Sequence, residues 1–337
     1  MSDTDRPIVS ICCTTYNHGK YIADCLEGFL AQKTTFAFEI IIHDDASKDE
    51  TTRTIEIYRT RYPHIIKPIY QEENQYSKGI KIGATYIAPK VKGKYVATCE
   101  GDDFWIDPYK LQKQVDFLES NPEYIMCFHR VAVVDREKKF LGRYLGPKAK
   151  SSREISMVEA VTGGVIHVSS RVIRSKYYTG PRPDWMNNAR HGDYAYAMYL
   201  AAEGKIFYLN EVMSNYRSGV ENSLMTKFRQ NYSKENDINY HKNRIETLEL
   251  ADEYYEKRFE HEIGCVVNIS ETRIHLLTKG ISSDAMAVYK KHMEVHGLKS
   301  LCKQFLLVKT PKIGRILQVA LHGSRRVAKY YRRNPIK

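Results

Sequence analysis

The sequence predicts an α/β fold, Rossmann-like, with a mostly parallel central sheet flanked by helices and a helical C-terminal extension. Three observations carry this. Short apolar, β-rich runs alternate with stretches whose apolar residues recur at helical spacing. Two such strand–helix units follow one another directly from Ile8, and successive βα units build parallel sheets with right-handed crossovers. A further apolar run, Lys94-Tyr95-Val96-Ala97-Thr98-Cys99, ends abruptly in Glu100, Asp102 and Asp103, with Gly101 between. Ligands of such sheets bind outside the carboxyl ends of the strands.

Ile8 to Cys13 reads as the first strand; after Thr14 to Gly19, the residues Ile22, Cys25, Leu26, Phe29 and Leu30 mark a helix. Phe38 to His43 reads as the second strand and Asp44 to Asp49 as its loop. A helix from about Glu50 to Arg61 follows, with acid near its start where the dipole favours it. A strand near Ile65 to Tyr70 and a helix near Ile80 to Ala88 come next. Past the acidic cluster, Trp105 to Pro108 turns into a helix carrying Leu111, Val115 and Leu118. Tyr124 to Val134 is a strand and the charged segment to Lys150 a hairpin. Thr162 to His167 is a flexible Gly-pair segment before a short strand. Arg190-His191-Gly192-Asp193 opens a helix over Tyr194 to Ala202, Ile206 to Leu209 is a strand, and Tyr216 to Ser223 reads as a mobile polar loop. From Leu224 the pattern is helical. The expected domains are therefore 1–223, a helical extension over 224–296, and a basic amphipathic tail over 297–337.

Hydrophobic content of 42% with 27% charged residues is that of a globular chain. No apolar run of about eighteen residues marks a transmembrane helix, and the polar start Met1-Ser2-Asp3-Thr4-Asp5 is unlike a signal peptide. The seven cysteines are scattered, with Cys12, Cys13, Cys99 and Cys127 inside apolar runs. Reduced core thiols in the cytosol fit this better than disulfides or a zinc site. The net charge of +12 is a property of the tail, because eleven Lys and Arg residues and no acid follow Glu294. Nucleic acid is therefore not an expected partner.

Two adjacent carboxylates at a strand end repel each other unless a cation lies between them and something anionic. Mg²⁺ or Mn²⁺ held by one or two carboxylates usually completes its shell with water and phosphate oxygens. The competing reading of Asp102 and Asp103 is a turn that caps the next helix. Lys78, Lys81, Lys90 and Lys92, just upstream, are ordinary surface lysines or diphosphate contacts.

Taken together, Val9 to Asn17, Ile41 to Asp49 (Ile-Ile-His-Asp-Asp-Ala-Ser-Lys-Asp), and Gly93-Lys94-Tyr95 running into Glu100-Gly101-Asp102-Asp103 resemble the nucleotide-sugar domain of glycosyltransferase family 2. The resemblance covers roughly residues 7 to 220 and is nearest to bacterial enzymes that build capsular or lipopolysaccharide glycans. It implies the GT-A fold and an inverting, metal-dependent transfer from a nucleotide-sugar, a UDP-sugar first of all, to a lipid-linked or polysaccharide acceptor. Thr14 and Tyr16 would flank the nucleobase, and Asp45 would accept its N–H. Asp102 would lie by the ribose or the metal, and Asp103 would coordinate Mn²⁺ or Mg²⁺ between the phosphates. Asp193 would be the general base. Two departures are visible: the family usually has Gly where Ala46 stands, and often Ala where Gly101 stands.

Each assignment has a plainer alternative: an N-cap for Asp193, core packing for Tyr16, turn chemistry for Asp44 and Asp49. Trp185 could stack a sugar on the acceptor side, and Trp105 could do so or anchor the core. Tyr216 and Arg217 resemble a loop that closes over the diphosphate in relatives. A sugar nucleotidyltransferase is the alternative enzyme class, though Thr14 to Gly19 lacks its Gly-rich basic loop; a non-enzymatic nucleic-acid or scaffold protein rests on the tail alone. The helices of 224–296 could support a homo-oligomer. Ile313, Ile316, Leu317, Ala320 and Leu321 form an apolar stripe among basic residues. That is the pattern of a helix lying in an anionic membrane interface, or of one packed on its own domain. The expected location is cytoplasmic, with peripheral attachment to the inner face of the membrane through 297–337.

Overall fold

The computed structural model describes residues 6–161, 165–189, 192–221, 223, 226–227, 230–279 and 286–296. The chain divides into two compact units, one of residues 1–182 and 192–221, the other of residues 183–191 and 222–337.

The first unit is built on a ten-stranded sheet. Its strands are β1 (Val9–Thr15), β2 (Phe38–Asp44), β3 (Ile66–Tyr70), β4 (Tyr95–Glu100), β5 (Phe104–Trp105), β6 (Tyr124–Val134), β7 (Phe140–Leu145), β8 (Arg153–Glu154), β9 (Val172–Arg174) and β10 (Lys205–Arg217). The spatial order is β3-β2-β1-β4-β9-β6-β10-β5, with β7 on β6 and β8 on β10. β1 pairs in parallel with β2 and β4, β2 with β3, and β6 with β10. β9 runs antiparallel to both β4 and β6, so the long strands on either side of it point the same way. The carboxyl ends of β1, β2, β4, β6 and β10 therefore share one edge.

β1 is central and apolar because both its faces are covered; Val9, Ile11 and Cys13 are fully buried. Helix α1 (Ile22–Leu30) buries Ile22, Cys25, Leu26 and Phe29 against the sheet. Helix α2 (Thr51–Arg61) buries only Thr51 and Ile55. Helix α3 (Lys110–Ser120) adds Leu111, Val115 and Leu118 to the same core. Fully burying an aliphatic side chain contributes roughly 1.5–3 kcal/mol, so this cluster dominates the unit's stability. Trp105 is an anchor of the core: its ring meets Phe29 edge-on and its Nε1–H donates to the Ser169 carbonyl at 2.9 Å.

Four expectations change. Ile80 to Ala88 is no α-helix but a wide turn, Gly83–Ile87, followed by a tight one, Ala88–Lys90. Pro89 has no N–H to continue a helix and its ring clashes with the preceding turn. β10 runs through Asn210 and Glu211, where the apolar pattern lapses, by absorbing register shifts near Val212. Tyr216 and Arg217 are consequently the end of a central strand and not a mobile loop. Trp185, in the second unit, is buried and offers no sugar platform.

The described part of the second unit contains the helices Trp185–Asn188, Lys234–Tyr254, Glu260–Thr278 and Met286–His296. Its helices bury polar groups together: Arg273 grips Asp237 at 2.6 Å, and Tyr232 donates to the same carboxylate at 2.9 Å. The stripe Ile313 to Leu321 and the whole 297–337 tail lie outside the described residues. So do His191 and the Gly163-Gly164 pair. No helix among the described residues is long and apolar enough to cross a membrane.

Candidate active site

The loops leaving β1 and β2 are tied to each other. Asn17 N–H donates to Ser47 Oγ and Lys48 N–H to Asn17 Oδ1, both at 2.8 Å, and Gly19 N–H donates to Asp49 Oδ2 at 2.9 Å. Asn17 adopts the left-handed conformation, as does Ala46 with φ of 63°. Ala46 thus takes a backbone shape that glycine adopts without strain. Asp44 accepts from the hydroxyls of Ser47 and Thr52, and Asp49 accepts from Thr51. Both are turn residues, which is the structural reading of them.

Asp45 is buried; Oδ1 accepts the N–H of Gln75 at 2.8 Å and Oδ2 that of Tyr76 at 3.0 Å. Its own N–H donates to the Thr15 carbonyl. Tyr16, next along β1's loop, is 41% exposed, which rules out the core-packing reading. Thr14 lies opposite Glu100 in the β1–β4 register, and its carbonyl accepts from Gly101 N–H at 2.9 Å. Thr14, Tyr16, Asp45 and the acidic strand end accordingly meet at one sheet edge.

The acidic strand end is crowded. Asp103 is 1% exposed; Oδ1 accepts the backbone N–H of Arg217 at 3.0 Å, while Oδ2 is buried with no hydrogen-bond partner. Burial, then Asp102 and Glu100, hold the Asp103 carboxyl well above the usual carboxylate range. Burial, then the charges of Asp102 and Asp193, push Glu100 up to about 8. Asp102 is buried with Oδ2 3.8 Å from His18 Nε2, and His18 Nδ1 lies 3.1 Å from Thr15 Oγ1. Gly101 sits between: a Cβ there would meet Thr15 Oγ1 at 2.6 Å and His18 Nδ1 at 3.0 Å.

Two arginines organise these acids: Arg217, expected in a loop over the diphosphate, and Arg171, which sequence reasoning did not select. Arg217, 2% exposed, donates from Nε to the Asp102 carbonyl, from Nη1 to the Arg136 carbonyl and from Nη2 to Asp24 Oδ2. Its side chain is buried at the end of β10 and not presented from a mobile loop. Arg171 is also buried and stands 3.6 Å from Asp193 Oδ1. A lone arginine inside the strand-like run Val168 to Ile173 was its available signal. His167 lies 3.7 Å from Asp103 Oδ2, but burial drives the imidazole down to about 3. Its Nδ1 accepts from Ser169 N–H, so this contact is not an ion pair.

Asp193 lies in the first turn of the helix Gly192–Glu203 with its side chain 76% exposed. Its field is felt by both Glu100 and Tyr76, so it faces the same edge as the acidic cluster. Of the upstream lysines, Lys78 is paired with Glu73, and Lys92 lies before β4, at the amino end of the sheet.

A divalent cation fits this donor set on one ground. A buried carboxylate oxygen without a partner, beside a second carboxylate, is a site whose repulsion a cation relieves. Among the described residues no three His, Cys, Asp or Glu side chains converge into a protein-only cage. Magnesium-type ions do not require one when phosphate and water supply the remaining ligands.

A mostly parallel central sheet with flanking helices and an open carboxyl edge is the GT-A architecture. The chain belongs to glycosyl transferase family 2, whose family model matches residues 10–178. It is 35% identical over 215 residues to an uncharacterized protein of Mycobacterium tuberculosis, covering 62% of this chain and 58% of that relative's length. An uncharacterized glycosyltransferase of Nostoc is 30% identical over 155 residues, 46% of each chain. The chain thus spans about half the length of these relatives. Among solved structures, TarS 1-349 of S. aureus in complex with UDP superposes with a TM-score of 0.55 at 15% identity. That match covers 96% of this chain and 91% of that one, and is a likeness of fold.

Proposed function

We propose that this protein is an inverting, metal-dependent glycosyltransferase that moves a sugar from a nucleotide-sugar, a UDP-sugar first of all, to a lipid-linked or polysaccharide acceptor in cell-surface glycan synthesis. The observation that carries the reading is the unpartnered Asp103 Oδ2 in a cluster of buried acids at the sheet edge, with Asp193 set apart from it. In this reading Asp102 and Asp103 hold Mn²⁺ or Mg²⁺ against the donor diphosphate. The cation supplies charge neutralisation for the leaving nucleotide. Thr14 and exposed Tyr16 flank the nucleobase and Asp45 accepts its N–H.

An inverting transfer needs a base on the side of the sugar away from the diphosphate, to take the acceptor hydroxyl's proton as that oxygen attacks. Asp193, exposed at a helix start, is accessible to a large acceptor, while the buried carboxylates are not. The basic tail would hold the enzyme near an anionic membrane carrying the acceptor, a reading supported by composition alone.

The test is a thermal-shift screen of nucleotide-sugars with and without Mn²⁺, since a ligand that binds only the folded state raises apparent stability. Mn²⁺-dependent stabilisation by one nucleotide-sugar is expected, lost in Asp103→Ala and kept in Asp193→Ala. Both variants are expected to abolish transfer. Full transfer by Asp193→Ala would remove the base assignment. Equal flotation with anionic liposomes by the full chain and by one ending at Glu294 would remove the membrane role of the tail.

A further inference from the structure

We propose that Arg171 is a positioning residue for Asp193, holding the carboxylate at the sheet edge. The proposal rests on the reading of Asp193 as the base. A buried guanidinium needs its donors answered, because an uncompensated buried charge is costly. Arg171 donates from Nε to Thr98 Oγ1 at 2.9 Å, and that hydroxyl gives its own proton to the Val168 carbonyl at 2.6 Å. The Thr98 oxygen is thereby left as an acceptor toward Arg171. The guanidinium also lies 5.3 Å from the centre of the Tyr196 ring, on which Arg182 packs as well.

Strand β4 and the Gly192–Glu203 helix thus hold the head group from two sides. Its Nη2 is aimed at Asp193 Oδ1, 3.6 Å away. The separation lets the acid move a fraction of an ångström without losing the field.

Arg171 is the cation on the inner side of an otherwise exposed carboxylate, and their approach is what ties that side chain to the sheet edge. A base must be held in the geometry that meets the proton it takes, and a small misplacement costs much of the rate.

The test uses the full chain with donor and Mn²⁺, comparing kcat and donor KM in wild type, Arg171→Met, Arg171→Lys, Thr98→Val and Asp193→Asn. Arg171→Met is expected to lower kcat about tenfold or more and to leave donor KM within about twofold. Arg171→Lys keeps the charge and is expected to recover part of the loss. Thr98→Val removes only the hydroxyl that orients the guanidinium, and is expected to lower kcat by less. It also serves if Arg171→Met does not fold. An unchanged kcat in the folded variants, or a loss confined to donor KM, overturns the proposal. Retained transfer in Asp193→Asn overturns the base assignment instead, so the two failures are told apart.

Discussion

The main-chain N–H of Arg217 meets Asp103 Oδ1 at 3.0 Å, while the same residue's guanidinium reaches the Asp102 carbonyl and the Asp24 carboxylate. The end of β10 therefore sets where both acids of the strand end stand. Arg217→Met should cost about 3–5 kcal/mol, the penalty for removing one partner of a buried ionic network. Arg217→Lys should recover little of it, because an ammonium on a flexible stem does not reproduce a planar fork that reaches separate acceptors. Urea unfolding of the three proteins measures this, and an unchanged midpoint in Arg217→Met would contradict it.

Glu100 gives the protein a specific response to pH. Its folded value of about 8 lies above the 4.5 usual for a glutamate. The folded state thus keeps a proton that the unfolded chain sheds, and stability falls as pH rises from about 4.5 to 8. Glu100→Gln removes that contribution and should be more stable than wild type at pH 7.5 by about 1 kcal/mol. Parallel stability curves for the two proteins across this window would sink the expectation.

Lys110 lies fully buried with its ammonium 3.9 Å from the Trp105 ring centre and no hydrogen-bond acceptor. Burial lowers it to about 7 from 10.5. Here the unfolded chain holds the extra proton, so wild-type stability rises with pH from about 7 to 10.5. Lys110→Met, of similar length and without charge, should stabilise by about 1–2 kcal/mol at pH 6 and by less at pH 9. Thermal unfolding at the two pH values separates the charge effect from packing.

Ala46 turns the β2 loop in a left-handed conformation that costs an alanine about 1 kcal/mol. Glycine removes the strain but frees the unfolded chain by a similar amount. Ala46→Gly should therefore leave the urea midpoint nearly unchanged, whereas Ala46→Val should lose about 1–2 kcal/mol because a branched side chain fits this region badly. Since Asp45 adjoins it, only the valine variant should also weaken nucleotide-sugar binding in the thermal-shift assay.

Much of the fold was legible because its signals are local. β1, β2, β4 and β6 are predominantly apolar, β-rich runs, and Asp45, Asp102 and Asp103 stand just past the ends of β2 and β4. The length of β10 was not legible, because polar Asn210 and Glu211 are carried through register shifts that a period of two does not register. Arg217 was assigned to a loop for that reason. The turn over Gly83–Ile87 was misread because its apolar spacing suits a helix while Pro89 closes it. Arg171 and Asp193 are 22 residues apart and meet only through the sheet, so no spacing rule joins them. Trp185 shows the opposite error: an aromatic residue suggests a platform, but its burial depends on packing that composition does not reveal.

Gly101 carries a consequence for how this site could have changed over time. The space its missing side chain leaves is taken by the Thr15 hydroxyl and the His18 ring. An alanine arriving there first would collide with both, whereas one arriving after the Thr15–His18 turn had been rebuilt would be accommodated. The order of the two changes is thus not interchangeable. A variant carrying the alanine often found there in the family therefore needs a permissive change in the turn first.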